Sequence, residues 1–203
     1  MPDVYATARG RIRARLASPL AARARARRHA AFFVLTGLEP GMRVVDVGCG
    51  ALGLRGLEPG LDITGVDLVA RPQYPGPFVR ADATKRLPFE DGAFDLAYSS
   101  SVIEHVAPAE RTAFASEIAR VARGFFVQTP AWSFPIEPHA LLPFAHWLAP
   151  TLRRPYWRLG AAGSWEDIAL LRRAELEALF GAPAHAERFG GLVKSWIALR
   201  PAA

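Results

Sequence analysis

From residue 43 onward, short apolar runs alternate with turn residues and with stretches of helical periodicity, which is the pattern of a parallel α/β sheet. The run RVVDV at 43–47 is apolar, β-branched and followed by glycines, as in a buried strand that leads into a tight turn. Phe114, Ile118 and Val121 share one face of a helical pattern. The predicted strands are 43–47, 61–67, 78–80, 94–98, 125–128, 184–189 and 193–199, and the predicted helices are 19–36, 108–122 and 165–180.

The last two predicted strands are separated by Gly190 and Gly191, which favours an antiparallel hairpin. The alternation along the rest of the chain favours parallel pairing. The predicted fold is therefore a single α/β domain. It has a mostly parallel seven-stranded sheet, an antiparallel C-terminal hairpin and helices on both faces.

Two connections leave little room for helices. Ten residues separate Gly50 from Leu61, which allows a short helix at most. Pro72, Pro75 and Pro77 lie between the second and third predicted strands. Because proline is excluded from helix interiors, we expect an irregular loop in place of the usual crossover helix there.

A glycine-rich loop follows the first predicted strand. Gly48, Gly50 and Gly53 spell the G-x-G-x-x-G pattern of dinucleotide-binding loops, and Asp67 lies nineteen residues after Gly48. Asp46 argues against a phosphate ligand, because a carboxylate beside the loop would repel a pyrophosphate bound to the loop amides. A ligand with a cationic end and no phosphate suits this loop better.

Four spaced blocks of sequence accompany the predicted strands: VVDVGCG, GVDL, RADATKRLPF and LPFEDGAFDLAYSSSVIEHV. Together they resemble the class I S-adenosylmethionine-dependent methyltransferases, particularly the small-molecule branch, over about residues 41–122. The resemblance implies a Rossmann-like domain and S-adenosylmethionine as cofactor, whose ammonium and sulfonium groups suit Asp46. The loop departs from the family pattern because Ala51 and Leu52 displace the third glycine, Gly53, by one position.

The resemblance implies a cofactor contact for each matching residue. The loop glycines would let the backbone approach the methionine part of the cofactor. Asp67 would bind both ribose hydroxyls, and Asp82 would bind the adenine amino group beside the amide of Ala83. The serines at the end of the fourth strand would line the cofactor. The predicted cofactor-binding set is Asp46, Gly48, Cys49, Gly50, Asp67, Leu68, Asp82, Ala83, Ser99 and Ser100.

Catalytic candidates follow the fourth and fifth strands, because ligands bind beyond the carboxyl ends of strands in open α/β sheets. His105 is either a base or substrate donor, or a histidine packed beside the cofactor loop. Glu137 and His139, stiffened by flanking prolines, either orient a polar acceptor or satisfy backbone groups in a turn. Glu104 is interpreted as a structural acid in a first helical turn. No metal site is expected, because the five histidines are scattered along the sequence.

The predicted function is methyl transfer from S-adenosylmethionine to a small, partly apolar acceptor, with the methylated atom (O, N or C) left open. Residues 130–163 are dense in proline, tryptophan and phenylalanine and interrupt the alternation, so they are expected to be an insertion on the substrate side. Within it, the apolar stretch 140–148 is either a lid over a lipid-like, quinone-like or polyketide acceptor, or a buried core helix. A non-catalytic cofactor-binding module and an NAD-dependent oxidoreductase are the alternatives.

The charge of the chain is concentrated at its N-terminus. The sequence has 25 basic and 19 acidic side chains, a formal net charge of +6. Residues 1–28 contain eight arginines and one acid and carry +7, whereas residues 29–203 carry −1. Residues 1–17 are therefore predicted to be a basic arm on a domain that spans 18–203. The arm is either a solvated extension, a contact for anionic membrane surface, or a contact for RNA.

A nucleic-acid methyltransferase is the less favoured alternative. Enzymes that methylate base amines resemble one another in an Asp/Asn-Pro-Pro-aromatic motif after the fourth strand, where this chain has three serines. Enzymes that methylate pyrimidine carbon need a cysteine nucleophile, but the one cysteine here, Cys49, lies in the glycine-rich loop and not after the fourth strand. A single cysteine also cannot form an intrachain disulfide. Since no apolar run reaches the ~18 residues of a transmembrane helix, we expect a cytoplasmic protein, with peripheral membrane contact through the arm as a hypothesis.

Overall fold

The structure, a computed structural model, describes residues 32–161 and 168–202. The predicted arm and most of the helix predicted at 19–36 lie outside these residues. Residues 32–36 are helical, in agreement with the end of that predicted helix. Phe32 packs edge-on against Tyr98 and Phe126, so this segment covers one face of the sheet.

The described residues form a seven-stranded sheet, as predicted. Its strands are β1 (Arg43–Val47), β2 (Asp62–Asp67), β3 (Phe78–Arg80), β4 (Phe94–Ser100), β5 (Ala122–Pro130), β8 (Ala184–Phe189) and β9 (Leu192–Arg200), and a separate two-stranded ribbon consists of β6 (Ile136–Glu137) and β7 (Leu142–Pro143). The order in the large sheet is β3-β2-β1-β4-β5-β9-β8. Along this order, the four neighbouring pairs from β3 through β2, β1 and β4 to β5 are parallel. Strand β9 is antiparallel to both β5 and β8.

The central strands are buried on both sides. Val45 of β1 lies opposite Thr64 in β2 and opposite Ala97 in β4. A strand whose two faces are both covered has a nearly continuous apolar sequence. This is why β1 could be predicted from the sequence. Since the strands from β1 to β5 run in parallel, their carboxyl ends meet at one edge of the sheet. The loops that leave this edge carry the predicted site residues.

Helices cover both faces of the sheet, as predicted. Besides the helical residues 32–36, the described part of the chain contains the helices α1 (Arg111–Val121), α2 (Pro150–Trp157) and α3 (Arg173–Phe180). Helix α1 follows a single 3-10 turn and buries the three apolar residues of its predicted face. These pack with Leu176 of α3 in one core layer, and Phe32 belongs to the core layer on the opposite face.

Both short connections have the predicted form. A single 3-10 turn at Leu54–Gly56 joins β1 to β2. Residues 68–77, between β2 and β3, contain no helix. The side chain of Tyr74 in this loop is buried against Gly65, so an aromatic ring covers the part of the sheet that a crossover helix would otherwise cover.

The prediction of a helix over 165–180 is wrong for residues 168–172, the first residues of this range that the structure describes. Residues 168–170 have no regular structure, Leu171 forms an isolated parallel bridge with Ala131, and the helix begins at Arg173. The amide of Ala169 donates to the carbonyl of Glu104, and the carbonyl of Leu171 accepts from the amide of Trp132. These bonds to distant residues hold the segment extended, and no local sequence pattern reports them.

The insertion has a small core of its own, and its described residues, 130–161, contain no long helix. The apolar stretch 140–148 contains β7 and a 3-10 turn at Ala145–Trp147, so the alternative of a buried helix is wrong. Ala140, Leu142 and Ala145 are buried with Trp157, whereas Phe144 and Trp147 are 51% and 42% exposed. In the described part of the chain, no helix has both the length and the apolar character needed to span a bilayer.

Candidate active site

The loop after β1 is shaped by a close contact at Gly48. Gly48 has a φ of 77°, and a Cβ added there would lie 2.3 Å from Cγ2 of Val102. The amides of Gly48 and Cys49 both donate to the carbonyl of Val66 at the end of β2, at 2.8 and 3.1 Å. The loop is thereby held against β2, with its backbone toward the carboxyl edge of the sheet.

Asp46 lies beneath this loop. Its carboxylate is 2% exposed and accepts a hydrogen bond from the amide of Leu54 at 2.6 Å. Burial raises the pKa of Asp46 to about 7, and the nearby Asp67 adds to the rise while the Leu54 amide opposes it. The displaced Gly53 makes room for this carboxylate, because a Cβ there would lie 2.2 Å from Oδ2 of Asp46. Asp46 therefore holds the loop from below.

A pocket of about 890 Å³ opens at the carboxyl edge of the sheet. Six of the predicted cofactor residues line it: Gly48, Gly50, Asp67, Leu68, Asp82 and Ala83. The other four lie outside its lining. Asp46, Cys49 and Ser99 are buried, and the hydroxyl of Ser100 donates to Oε1 of Gln128 at 2.7 Å. The fold thus gathers the predicted residues from the loops after β1, β2 and β3.

Asp67 is prepared as a charged hydrogen-bond acceptor. It accepts from the amide of Gly50 at 3.0 Å, from the amide of Val69 at 2.9 Å and from Nε of Arg71 at 2.9 Å. Burial opposes ionisation, but the Arg71 side chain and the two amides outweigh it and lower the pKa of Asp67. Arg71 also lines the pocket and was missed by the sequence analysis. Because residues 68–77 form a loop without helical periodicity, no sequence pattern indicated this pairing.

Asp82 is also held ionised in the pocket. The amide of Thr84 and its hydroxyl both donate to Oδ1 of Asp82, at 2.9 and 2.8 Å. These two bonds lower the pKa of Asp82. Oδ1 thus anchors the carboxylate to its own loop.

The structure brings the three predicted catalytic residues together. His105 lines the pocket, and its ring packs edge-to-face on the ring of His139 with centroids 5.0 Å apart. Oε1 of Glu137 lies 2.7 Å from Nδ1 of His139, and its Oε2 accepts the amide of Ala140 at 2.5 Å. Residues that are more than thirty positions apart therefore form one polar cluster beside the pocket.

Glu104 belongs to this cluster, which changes the interpretation of this residue. It lies in a three-residue 3-10 turn, too short for a substantial helix dipole, and it is 1% exposed. Its Oε2 accepts from the hydroxyl of Thr129 at 3.0 Å, and its Oε1 lies 4.0 Å from Nε2 of His139. Burial raises the pKa of Glu104 to about 7, although its own backbone amide, His139, Thr129 and Arg111 oppose the rise.

His105 is neutral near pH 7. Burial lowers the pKa of His105 to about 4, His139 lowers it further, and Glu137 acts in the opposite direction. A neutral imidazole has one nitrogen that accepts a hydrogen bond or a proton. The pocket therefore combines two ionised carboxylates with a neutral imidazole.

Comparison with known proteins identifies part of the chain. Residues 45–125 match the family described as a methyltransferase domain. This range contains the glycine loop, Asp67, Asp82 and His105. No curated protein matches the sequence.

Several solved structures share the fold at low sequence identity. PH0226 from Pyrococcus horikoshii OT3 is 19% identical, with a TM-score of 0.60 over 99% of this chain and 94% of its own. The Burkholderia thailandensis 1,6-didemethyltoxoflavin-N1-methyltransferase, solved with 1,6-didemethyltoxoflavin and S-adenosylhomocysteine, is 16% identical, with a TM-score of 0.54 over 95% of this chain and 89% of its own. A Haloferax volcanii putative methyltransferase, solved with the activator Trm112, is 16% identical, with a TM-score of 0.54 over 92% and 95%.

Proposed function

We propose that this chain is a class I S-adenosylmethionine-dependent methyltransferase and that it methylates a small, partly apolar acceptor bound beside His105. The match of residues 45–125 to a methyltransferase domain and the shared fold support this proposal. The observation that carries the proposal is the pocket at the carboxyl edge of the sheet, which is lined both by the cofactor-type residues and by His105. One cavity then holds donor and acceptor, as a direct transfer between them requires.

The donor is proposed to lie across the three loops after β1, β2 and β3. Gly48 and Gly50 leave space for the methionine part of the cofactor. Asp67, kept ionised by Arg71 and two amides, is a strong acceptor for the ribose hydroxyls. Asp82 and the amide of Ala83 are proposed to bind the adenine edge. Arg71 thus supports cofactor binding by holding the charge of Asp67.

Methyl transfer is a displacement at a carbon that the sulfonium already activates. With S-adenosylmethionine bound, a lone pair of the acceptor would form the new bond to the methyl carbon as the carbon–sulfur bond breaks. The electron pair of the broken bond would stay on sulfur, which leaves S-adenosylhomocysteine. The protein mainly has to hold the acceptor within ~3–3.5 Å of the methyl group and exclude water. His105 is proposed to accept a hydrogen bond from the acceptor's O–H or N–H, which directs the acceptor's lone pair, and to take up that proton as the new bond forms.

A quinone-like or lipid-like acceptor is the finer proposal. Its support is the insertion, in which the rings of Phe144 and Trp147 lie 5.2 Å apart and are both about half exposed. The Burkholderia protein with this fold is named for methylating a small heterocycle, which supports a small-molecule acceptor. The basic arm is proposed to bring the enzyme to an anionic membrane surface, where such acceptors are found. The net charge of −1 on residues 29–203 gives no support to RNA as the substrate.

Transfer of a labelled methyl group tests the proposed function. The full-length protein is incubated with methyl-labelled S-adenosylmethionine and a panel of phenols, quinols and heterocyclic amines. We expect label in at least one of these acceptors. His105→Ala should lower the rate ~10-fold or more, while still binding S-adenosylhomocysteine. His185→Ala, on the exposed face of β8, is the matched control and should retain the wild-type rate.

Three outcomes would contradict the proposal. Binding of S-adenosylhomocysteine without transfer to any acceptor would favour the non-catalytic module. Transfer to RNA alone would overturn the small-molecule acceptor. Equal rates for His105→Ala and His185→Ala would remove His105 from the reaction.

A further inference from the structure

Three side chains that commonly ligate metals meet beside the pocket. Glu104 and His105 lie in the turn after β4, and His139 lies in the insertion, after β6. One ligand-type atom from each of them, a carboxylate oxygen or a ring nitrogen, lies within 4.8 Å of the others. Two imidazole nitrogens and one carboxylate are a ligand set that suits zinc and other divalent first-row transition metals.

The carboxylate of Glu104 is the strongest indication that this cluster accommodates a cation. Its side chain has no exposed surface. One oxygen is satisfied by Thr129, but Oε1 has no hydrogen-bond partner among the residues that the structure describes. A buried carboxylate oxygen without a partner is costly. A cation between this oxygen and Nε2 of His139, which are 4.0 Å apart, would satisfy it.

Glu137 supplies the second independent observation. It is 1% exposed, and its Oε1 lies 2.7 Å from Nδ1 of His139. This contact fixes the ring of His139 so that Nε2 is left for Glu104. Histidines that bind metals typically donate their other ring N–H to such a carboxylate, which sets the tautomer and the ring orientation.

We propose that Glu104, His105 and His139 bind a divalent first-row transition metal ion, such as Zn²⁺, with Glu137 as the positioning residue of His139. Tetrahedral zinc with bonds of ~2.1 Å places its ligand atoms roughly 3.4 Å apart. Side-chain rotations that close the present spread of up to 4.8 Å would therefore complete the site. The scatter of histidines along the sequence concealed this cluster, since residues 105 and 139 meet only in the fold.

The ion has an open coordination position toward the pocket, because His105 lines that cavity. An oxygen or nitrogen of the acceptor would occupy it. With the ion bound, His105 would contact the acceptor through the metal and not by the direct hydrogen bond proposed above. This role depends on the proposed methyl transfer, whereas binding of the ion does not.

Metal titration of the tag-free, full-length protein tests the proposal. After treatment with a chelator, the protein is titrated with Zn²⁺ by calorimetry and with Co²⁺ by visible absorption. We expect one ion per chain, with cobalt bands typical of a four- or five-coordinate site. Glu137→Gln should weaken binding ~10–100-fold, as for other carboxylates behind a metal-bound histidine, and Glu104→Gln should weaken it at least as much.

The control is His185→Gln, which removes an exposed histidine on β8 and should leave the affinity unchanged. Equal affinities for Glu104→Gln and His185→Gln would overturn the site. If Glu104→Gln does not fold, the wild-type cobalt spectrum decides, and its absence also overturns the site. Binding of S-adenosylhomocysteine to the metal-free protein is measured separately, so failure of the metal site is distinguishable from failure of the proposed function.

Discussion

At the scale of single residues, the loop after β1 depends on two glycines that have different neighbours. Gly48 faces the side chain of Val102, and Gly53 faces the carboxylate of Asp46. Both have positive φ angles, so an added side chain would be strained as well as crowded. The displacement of the third glycine to position 53 therefore has a structural reason, since Gly53 provides the space that the buried Asp46 occupies.

Gly48→Ala should destabilise the protein by about 2–5 kcal/mol, because ~1–2 kcal/mol of backbone strain adds to ~1–3 kcal/mol of overpacking against Val102. Gly92→Ala is the matched control, since Gly92 has a φ of 65° but no atom within 4 Å of its added Cβ. It should show the backbone cost alone. The comparison is made by urea unfolding.

Adding Val102→Ala to Gly48→Ala removes the crowded methyl groups and should recover part of the loss. Equal losses for Gly48→Ala and Gly92→Ala, with no recovery in the double variant, would show that the Val102 contact does not constrain the loop.

The site residues that were predicted lie next to recognisable strands, whereas the role of Glu104, which was missed, depends on contacts with residues far along the chain. Asp67 and Asp82 follow recognisable strands, so their place at the carboxyl edge could be predicted. Glu104 was placed in the correct turn, but its burial depends on Thr129 and His139, which lie far along the chain. No periodicity reports such a contact, and the cluster became visible only in the structure.

At the scale of elements, the sheet was predictable and the insertion was not. Buried parallel strands leave apolar runs that are bounded by turn residues, as β1 shows. The mostly exposed β8 has no such run and was predicted from Gly190 and Gly191, which favour a hairpin with β9. The insertion is built from two-residue strands and single turns, which are too short to show a period. The segment before α3 was misread as helix because its extended form depends on bonds to Glu104 and Trp132.

The proposed binding of the basic arm to membranes depends on its arginines. Replacing Arg9, Arg11, Arg13 and Arg15 by glutamine in the full-length chain should reduce co-sedimentation with anionic vesicles, because each arginine near an acidic bilayer contributes ~1 kcal/mol. The effect should weaken as salt is raised.

Neutral phosphatidylcholine vesicles are the control for the arm and should pellet little of either protein. If the two proteins pellet equally with anionic vesicles, the arm does not direct the enzyme to membranes, and the lipid-like acceptor loses that support.

At the scale of the whole molecule, charge and chemistry are separated along the chain. Residues 1–28 carry +7, whereas residues 29–203, which contain the pocket, carry −1. The parallel sheet brings the three loops after β1, β2 and β3 to one edge, and the turn after β4 and the insertion add the polar cluster beside them. The proposed methyl transfer therefore requires that the pocket at this edge binds the cofactor.

Calorimetric titration with S-adenosylhomocysteine tests that claim most directly, on the wild type, Asp67→Ala and Asp62→Ala. Asp62 begins the strand that Asp67 ends and is exposed, so it is the matched control. We predict one site in the wild type, unchanged affinity in Asp62→Ala, and affinity ~10–100-fold weaker in Asp67→Ala, since charged hydrogen bonds contribute ~1.5–3 kcal/mol. No binding to the wild type, or equal affinities for the two variants, would contradict the account.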